Sequence, residues 1–153
     1  PEIDGVNRLL PESLRDITRY SNRNVILFDR KAEVPAQFYG NEPKHNWCYY
    51  FEQAELARQQ ADWVQVAALG DTAFALDDHP NDPIERFVYI EGYAQTGNWQ
   101  KALKLSIDSY KVSKDYVGPP LCKLWNRIVR ETISSAEQKV TMDTVQNKFE
   151  CLL

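Results

Sequence analysis

The chain has 153 residues, of which 43% are hydrophobic and 26% charged, with a formal net charge of −4. This composition is typical of a globular domain and excludes a disordered chain. The longest strictly apolar run, Trp47–Phe51, is far shorter than the roughly 20 residues of a membrane helix, so we expect no membrane insertion by this chain. Residues 47–110 carry 10 acidic and 4 basic side chains, whereas nucleic-acid binding requires a basic surface.

The first 46 residues lack sustained periodicity and predict an irregular N-terminal arm that packs on the rest of the chain. Pro11–Glu12 predicts the start of a short helix, because proline suits the first helical turn and an acid there interacts favourably with the helix dipole. Val25–Phe28 is rich in strand-forming residues but has no partner strand nearby, so we expect an extended segment. The prolines, asparagines and Gly40 of residues 34–46 predict a loop.

From residue 47 onwards, apolar residues recur with a helical period, and residues 47–153 predict one helical repeat domain. Asn46 and Asp62 are good N-caps, and Asp82–Pro83 combines an N-cap with a proline in the first helical position. Asn98 is the equivalent cap of the next helix. The predicted helices span 47–60, 63–76, 84–96 and 99–112.

The C-terminal part predicts two further helices that cap the domain. Gly118–Pro120 predicts a break in the chain, after which a fifth helix begins at Leu121. A sixth helix is predicted from Thr141 to Leu153, with Val145 and Phe149 on its apolar side.

Two stretches of the sequence repeat at an offset of 36 residues. Residues 55–63 and 91–99 share Glu, Gln and Trp at matched positions, and Asp62 matches Asn98 as a cap. Periods of this length with helix–turn–helix signals are typical of helical repeats. They predict an all-α, right-handed stack of antiparallel helix pairs, in which Trp63 and Trp99 pack between the helices of each pair.

The second copy resembles a tetratricopeptide repeat, since Tyr93, Gly97, Asn98–Trp99 and Ala102 stand at the spacings of that family's motif. The chain departs from the family in three ways: the offset is 36 residues rather than the usual 34, the Trp-Leu-Gly signature is missing, and Val66 replaces a small alanine. The resemblance covers residues 47–110. It implies a short α-solenoid that acts as a non-catalytic scaffold and binds a protein or peptide.

A second resemblance concerns the block from Trp47–Tyr50 through Trp63 to Phe87 and Ile90–Ala94. This block is similar to the soluble C-terminal tails of bacterial multi-span membrane proteins of a glycosyltransferase-like kind. That resemblance implies the alternative function, an accessory or docking domain whose catalytic part lies outside this chain.

Polar side chains recur on one face of the first helix of each copy. Glu55 and Gln59 are four residues apart, as are Glu91 and Gln95, so each pair leaves the same helical face. Because equivalent helices of stacked repeats line up, we predict a polar ladder on the concave surface that binds a basic or amide-rich peptide. Three neighbours complete the predicted binding site: Phe51, Arg58 and Phe87. A solvated helix face, or a seam that docks residues 1–46, is the alternative interpretation.

Two groups of residues could indicate a metal or catalytic centre. His45 and Cys48 are three residues apart, but no second Cys–His pair follows. The acids of residues 77–85 lack the ligand spacing and the central glycine of a calcium loop. We therefore predict no catalytic residue, no metal and no cofactor.

The three cysteines, Cys48, Cys122 and Cys151, are widely spaced and odd in number. We predict three reduced thiols, which favours a reducing, cytoplasmic compartment. The basic side chains of residues 111–130 predict a solvated face, and binding to an acidic partner or a membrane surface is the alternative interpretation.

Overall fold

A computed structural model of the chain describes residues 12–17, 20, 22 and 35–151. The chain divides into two compact units, Pro1–Lys44 and His45–Leu153. Every regular element of the described residues is a helix and none is a strand, so the predicted all-α class is confirmed. Among these residues, no helix combines the length and the apolar character needed to cross a membrane.

Where the N-terminal unit is described, it contains two short α-helices, α1 (Glu12–Ile17) and α2 (Ala36–Tyr39). The first confirms the predicted helix after Pro11. The second corrects the predicted loop over 34–46: Pro35, with φ −66°, precedes one helical turn that ends at Gly40 with φ 78°. Val25–Phe28 lies outside the described residues, as does most of the arm whose packing on the repeats was predicted.

The second unit contains six α-helices within its described residues. They are α3 (Trp47–Gln59), α4 (Trp63–Ala73), α5 (Phe87–Gln95), α6 (Trp99–Val112), α7 (Lys114–Glu131) and α8 (Ala136–Phe149). A 3-10 turn, Pro83–Arg86, leads into α5. The four helices predicted over 47–112 are confirmed to within a few residues at their ends.

Local capping explains where most of these helices begin. The side-chain oxygens of Asn46, Asp62 and Asp82 accept backbone amide hydrogens at 3.2, 3.0 and 2.8 Å. Asn98 occupies the N-cap position of α6 but makes no capping bond with its side chain. Trp63 and Trp99 both open the second helix of a pair; Trp99 is buried and Trp63 is half-buried.

The helices pack in chain order, and α5 lies at the centre. Each of α3 to α6 contacts the next helix, while α5 also contacts α3 and α7, and α6 also contacts α8. Eight of the nine residues of α5 are buried as a result. Helices that are adjacent in the chain therefore pack against each other throughout this unit.

Two glycines allow α4 and α5 to approach closely. A Cβ atom at Gly92 would overlap the side chain of Val66, and one at Gly70 would lie 2.8 Å from Cδ1 of Tyr89. Val66 and Tyr89 are themselves fully buried. The side chain of Val66 therefore packs directly on the backbone of α5.

Helix α7 begins earlier than predicted. Gly118, Pro119 and Pro120 were expected to break the chain, but they lie inside a helix that starts at Lys114. Each proline lacks the amide hydrogen that would bond one turn back, and both lie beyond the first helical turn, so the helix forms there without two of its backbone hydrogen bonds. Burial of Pro120 and Leu121 favours this arrangement, and Gly118 packs near the ring of Tyr110.

Helix α8 also begins earlier than the predicted residue 141, because Ser135 caps it. The Ser135 hydroxyl accepts the amide hydrogen of Gln138 at 3.0 Å. The described part of the helix ends at Phe149, followed by Glu150 in the left-handed conformation with φ 57°.

The prediction of three reduced thiols is wrong for two of the cysteines. Cys122 and Cys151 form a disulfide, with their Cα atoms 5.3 Å apart and a sequence separation of 29. Cys48 is a free, exposed thiol. The wide spacing was misleading because α7 and α8 bring distant residues together, so the cysteines no longer support a reducing compartment.

Candidate functional site

The first helices of successive pairs place polar side chains at intervals of 36 residues. Two sets stand out, and each contains one residue from α3, one from α5 and one from α7. We call Glu55, Glu91 and Arg127 the inner row, and Gln59, Gln95 and Glu131 the outer row.

Two residues of the inner row, Glu91 and Arg127, form a buried ion pair between α5 and α7. Arg127 donates to Oε2 of Glu91 at 2.6 Å across a separation of 36 residues. The Glu91 residue is 1% exposed and Arg127 is 9% exposed. Burial raises the pKa of Glu91, and the positive charges of Arg127 and Arg58 oppose that rise. This pair fixes α5 against α7.

This burial corrects part of the predicted site. Phe87 and Glu91 were expected to line an open surface, but Phe87 is 3% exposed and Glu91 is covered by α7. Neither side chain is accessible to a partner in this structure. Helix α7, which follows the pair α5 and α6, covers the face of α5 that was predicted to be open.

The remaining predicted residues are at least partly accessible, apart from Arg58. Phe51, Gln59 and Gln95 are half-buried, and the side chain of Glu55 is 28% exposed. The Arg58 side chain is 8% exposed and donates twice to Oε2 of Glu55, at 3.0 and 2.6 Å. Arg58 therefore orients Glu55 rather than presenting a free charge.

The outer row continues from α5 to α7. Nε2 of Gln95 donates to Oε2 of Glu131 at 3.4 Å, again across 36 residues. Glu131 is exposed. Arg127 and Glu131 were not among the predicted site residues, although extending the offset of 36 by one further step reaches both.

A groove begins at the Gln95–Glu131 end of the outer row. It has a volume of about 420 Å³ and lies between the turn after α5 and the loop after α7. Trp99 and Ile133 are among its lining residues. Its size falls within the range of small binding pockets.

A second polar cluster joins α4, α5 and α6. The hydroxyl of Tyr93 and Nζ of Lys101 both donate to Oδ1 of Asp71 at 2.6 Å. The bonds from Lys101 and Tyr93 hold the pKa of Asp71 below its usual value, while burial and Asp71 raise the pKa of the Tyr93 hydroxyl. Each group is stabilised in its resting protonation state, which disfavours proton transfer near neutral pH.

The residues considered for metal binding have other partners. His45 stacks on Tyr49 with ring centroids 3.5 Å apart. Asp78 accepts the backbone amide hydrogen of Trp47 at 2.8 Å, and Glu85 accepts from its indole at 2.6 Å. Within the part of the chain that the structure describes, no three His, Cys, Asp or Glu side chains are grouped as a metal site.

The chain matches no model of a known protein family, and no curated protein or solved structure is significantly similar to it.

Proposed function

We propose that this chain is a non-catalytic helical-repeat scaffold, of a tetratricopeptide-like kind, that binds a protein or peptide. The two rows carry the proposal. The inner row is closed by the Glu91–Arg127 ion pair and holds the helices together. The outer row stays at the surface and offers polar groups at regular intervals, which is what an extended ligand requires.

The chemistry of the accessible residues favours a basic or amide-rich peptide. The side chains of Gln59 and Gln95 can both donate to and accept from a peptide backbone. Glu131 adds negative charge that attracts Lys or Arg, Glu55 adds a carboxylate already paired with Arg58, and Phe51 adds apolar contact. Recognition would then combine backbone hydrogen bonds with charge.

The partnered state of the polar clusters supports the non-catalytic part of the proposal. Asp71 and Tyr93 bond to each other, and Asp82 accepts from the amide of Ile84 and from the hydroxyl of Tyr116. A catalytic base or nucleophile needs an available lone pair or proton close to a substrate site. The same open face would also serve an accessory domain of a larger glycosyltransferase-like protein, as the second resemblance implies.

Panning a phage-displayed library of random dodecapeptides against the full chain tests the proposal. We expect enriched peptides whose affinity falls at least tenfold on the double variant Gln59→Ala/Gln95→Ala. The matched control is Gln65→Ala/Gln146→Ala, which removes two exposed glutamines from α4 and α8. Enrichment no greater than on an unrelated protein, or equal loss on both double variants, would contradict the proposal.

A further inference from the structure

A continuous groove crosses the end of the helix stack beside the outer row. Two adjoining depressions, of about 420 and about 400 Å³, share Gly97, Trp99 and Glu137 as lining residues. One wall is the turn between α5 and α6, and the other is the loop between α7 and α8 with the first turns of α8. The groove thus lies on two successive repeat units.

Apolar side chains at the groove are exposed to an unusual extent. Ile133 is 92% exposed and Val140 is 67% exposed, while Trp99 lies beneath them at 6% exposure. Large apolar side chains grouped around a depression commonly mark a protein interaction surface. The combined volume accommodates one or two large side chains of a ligand.

The charge of the groove has one sign. Glu131 and Glu137 are exposed lining residues, and none of the described residues that line the groove is Lys or Arg. Glu131 is linked to Gln95 and so holds a defined place at one end. A ligand with positive charge close to its apolar group would complement both features.

We infer that this groove binds a linear segment of a partner protein in which a large aliphatic or aromatic side chain stands within a few residues of Lys or Arg. The apolar side chain covers Ile133 and Val140, and the basic group lies between Glu131 and Glu137. This assignment rests on the proposed scaffold function, because the segment enters the groove from the outer row. The groove adds a requirement that the two rows do not provide, namely a large apolar side chain close to the basic residue.

The first readout is the sequence of the peptides that the library selection yields. We expect enrichment of an apolar residue with Lys or Arg nearby. Fluorescence anisotropy on the full chain should then show at least tenfold weaker binding to Glu131→Gln/Glu137→Gln, and a similar loss with Ile133→Ser. The control Asp77→Asn/Asp143→Asn removes the same charge from exposed positions outside the groove and should change affinity less than twofold.

The second readout is the location of binding, given by amide chemical shifts of the labelled chain. Shifts should cluster in residues 95–100 and 131–141. If selected peptides respond to Gln59→Ala, which changes the outer row outside the groove, but not to the groove variants, the groove assignment is overturned while the scaffold function stands. If no peptide is enriched, both fail. If sedimentation shows a dimer that Ile133→Ser abolishes, the occupant is a second copy of this chain and the inference is wrong.

Discussion

The first helices of the two copies, α3 and α5, carry the same Glu-x-x-x-Gln pattern but have different surroundings. Three of the 13 residues of α3 are buried, against eight of the nine residues of α5. Helix α3 packs mainly on α4 and α5, whereas α5 also contacts α6 and α7. The two equivalent glutamates therefore differ: Glu55 of α3 is partly accessible, whereas Glu91 of α5 is part of the core. A repeat motif specifies a helical face, and the neighbours decide whether that face is open.

The largest expected effect tests this difference at matched positions of the inner row. Glu91→Ala should lower the free energy of unfolding by about 3–5 kcal/mol, because it leaves the charge of Arg127 buried without its partner. Glu55→Ala removes the equivalent acid of α3 and should cost about 1 kcal/mol, since that acid is partly exposed and the nearby charge of Glu91 still offsets the charge of Arg58. Urea denaturation followed by circular dichroism measures both. Equal losses would show that the two faces are equivalent.

The disulfide tests how the other end of the stack is held. Cys122→Ser/Cys151→Ser should destabilise the protein by about 3 kcal/mol, because the bond closes a loop of roughly 30 residues and restricts the unfolded chain. Cys48→Ser changes an exposed free thiol and should shift stability by less than about 0.5 kcal/mol. Unfolding midpoints in the absence of reductant provide the comparison. A double variant as stable as the unchanged protein would contradict a structural role for the bond.

The contact between α4 and α5 predicts a smaller effect. Gly92→Ala should cost about 2 kcal/mol, because the new Cβ overlaps Val66 and the repacking outweighs the better helix propensity of alanine. Gly97→Ala faces open space but has φ 78°, so strain of about 1 kcal/mol is expected there. Adding Val66→Ala should relieve part of the Gly92→Ala penalty and none of the Gly97→Ala penalty. Calorimetric melting of Gly92→Ala and Gly97→Ala, each with and without Val66→Ala, distinguishes overlap from backbone strain.

The smallest effect compares two tyrosines on α5 that are one turn apart. Tyr93→Phe loses the bond to Asp71 and should cost about 1 kcal/mol. The hydroxyl of Tyr89 is buried without a hydrogen-bond partner among the described residues, so Tyr89→Phe should be neutral or slightly stabilising. Chemical denaturation of both variants checks the sign of each change. Destabilisation by Tyr89→Phe to the same extent would show that its hydroxyl has a partner.

Local signals made most of the helical fold predictable. Asn46, Asp62 and Asp82 cap helices because a side-chain oxygen needs only an amide hydrogen two or three residues away. The prolines of α7 were misread because their local tendency to break a helix is opposed by the burial of Pro120 and Leu121, which depends on residues distant in the chain. The pairing of Cys122 with Cys151 is a contact between distant residues, which spacing alone cannot indicate.

The candidate site was predictable in its faces but not in its exposure. The 36-residue offset identified Glu55, Gln59, Glu91 and Gln95, and the hydrogen bond of Gln95 to Glu131 follows the same offset. The third step was missed because Ser135 stands where Trp63 and Trp99 mark the earlier units. A fifth helix was predicted from Leu121, but it was not recognised as the next step of the offset, so the burial of Glu91 and Phe87 was not expected.

The disulfide between Cys122 of α7 and Cys151, which lies just beyond α8, determines what a protease would leave behind. The loop between these helices is exposed at Ile133 and Ser134, and both lie between Cys122 and Cys151 in the chain. A single cut there divides the polypeptide but not the molecule, since the sulfur–sulfur bond still joins the two pieces. The nicked protein migrates as one band on a denaturing gel without reductant and as two bands once thiol is added. Its mass without reductant increases by a single water.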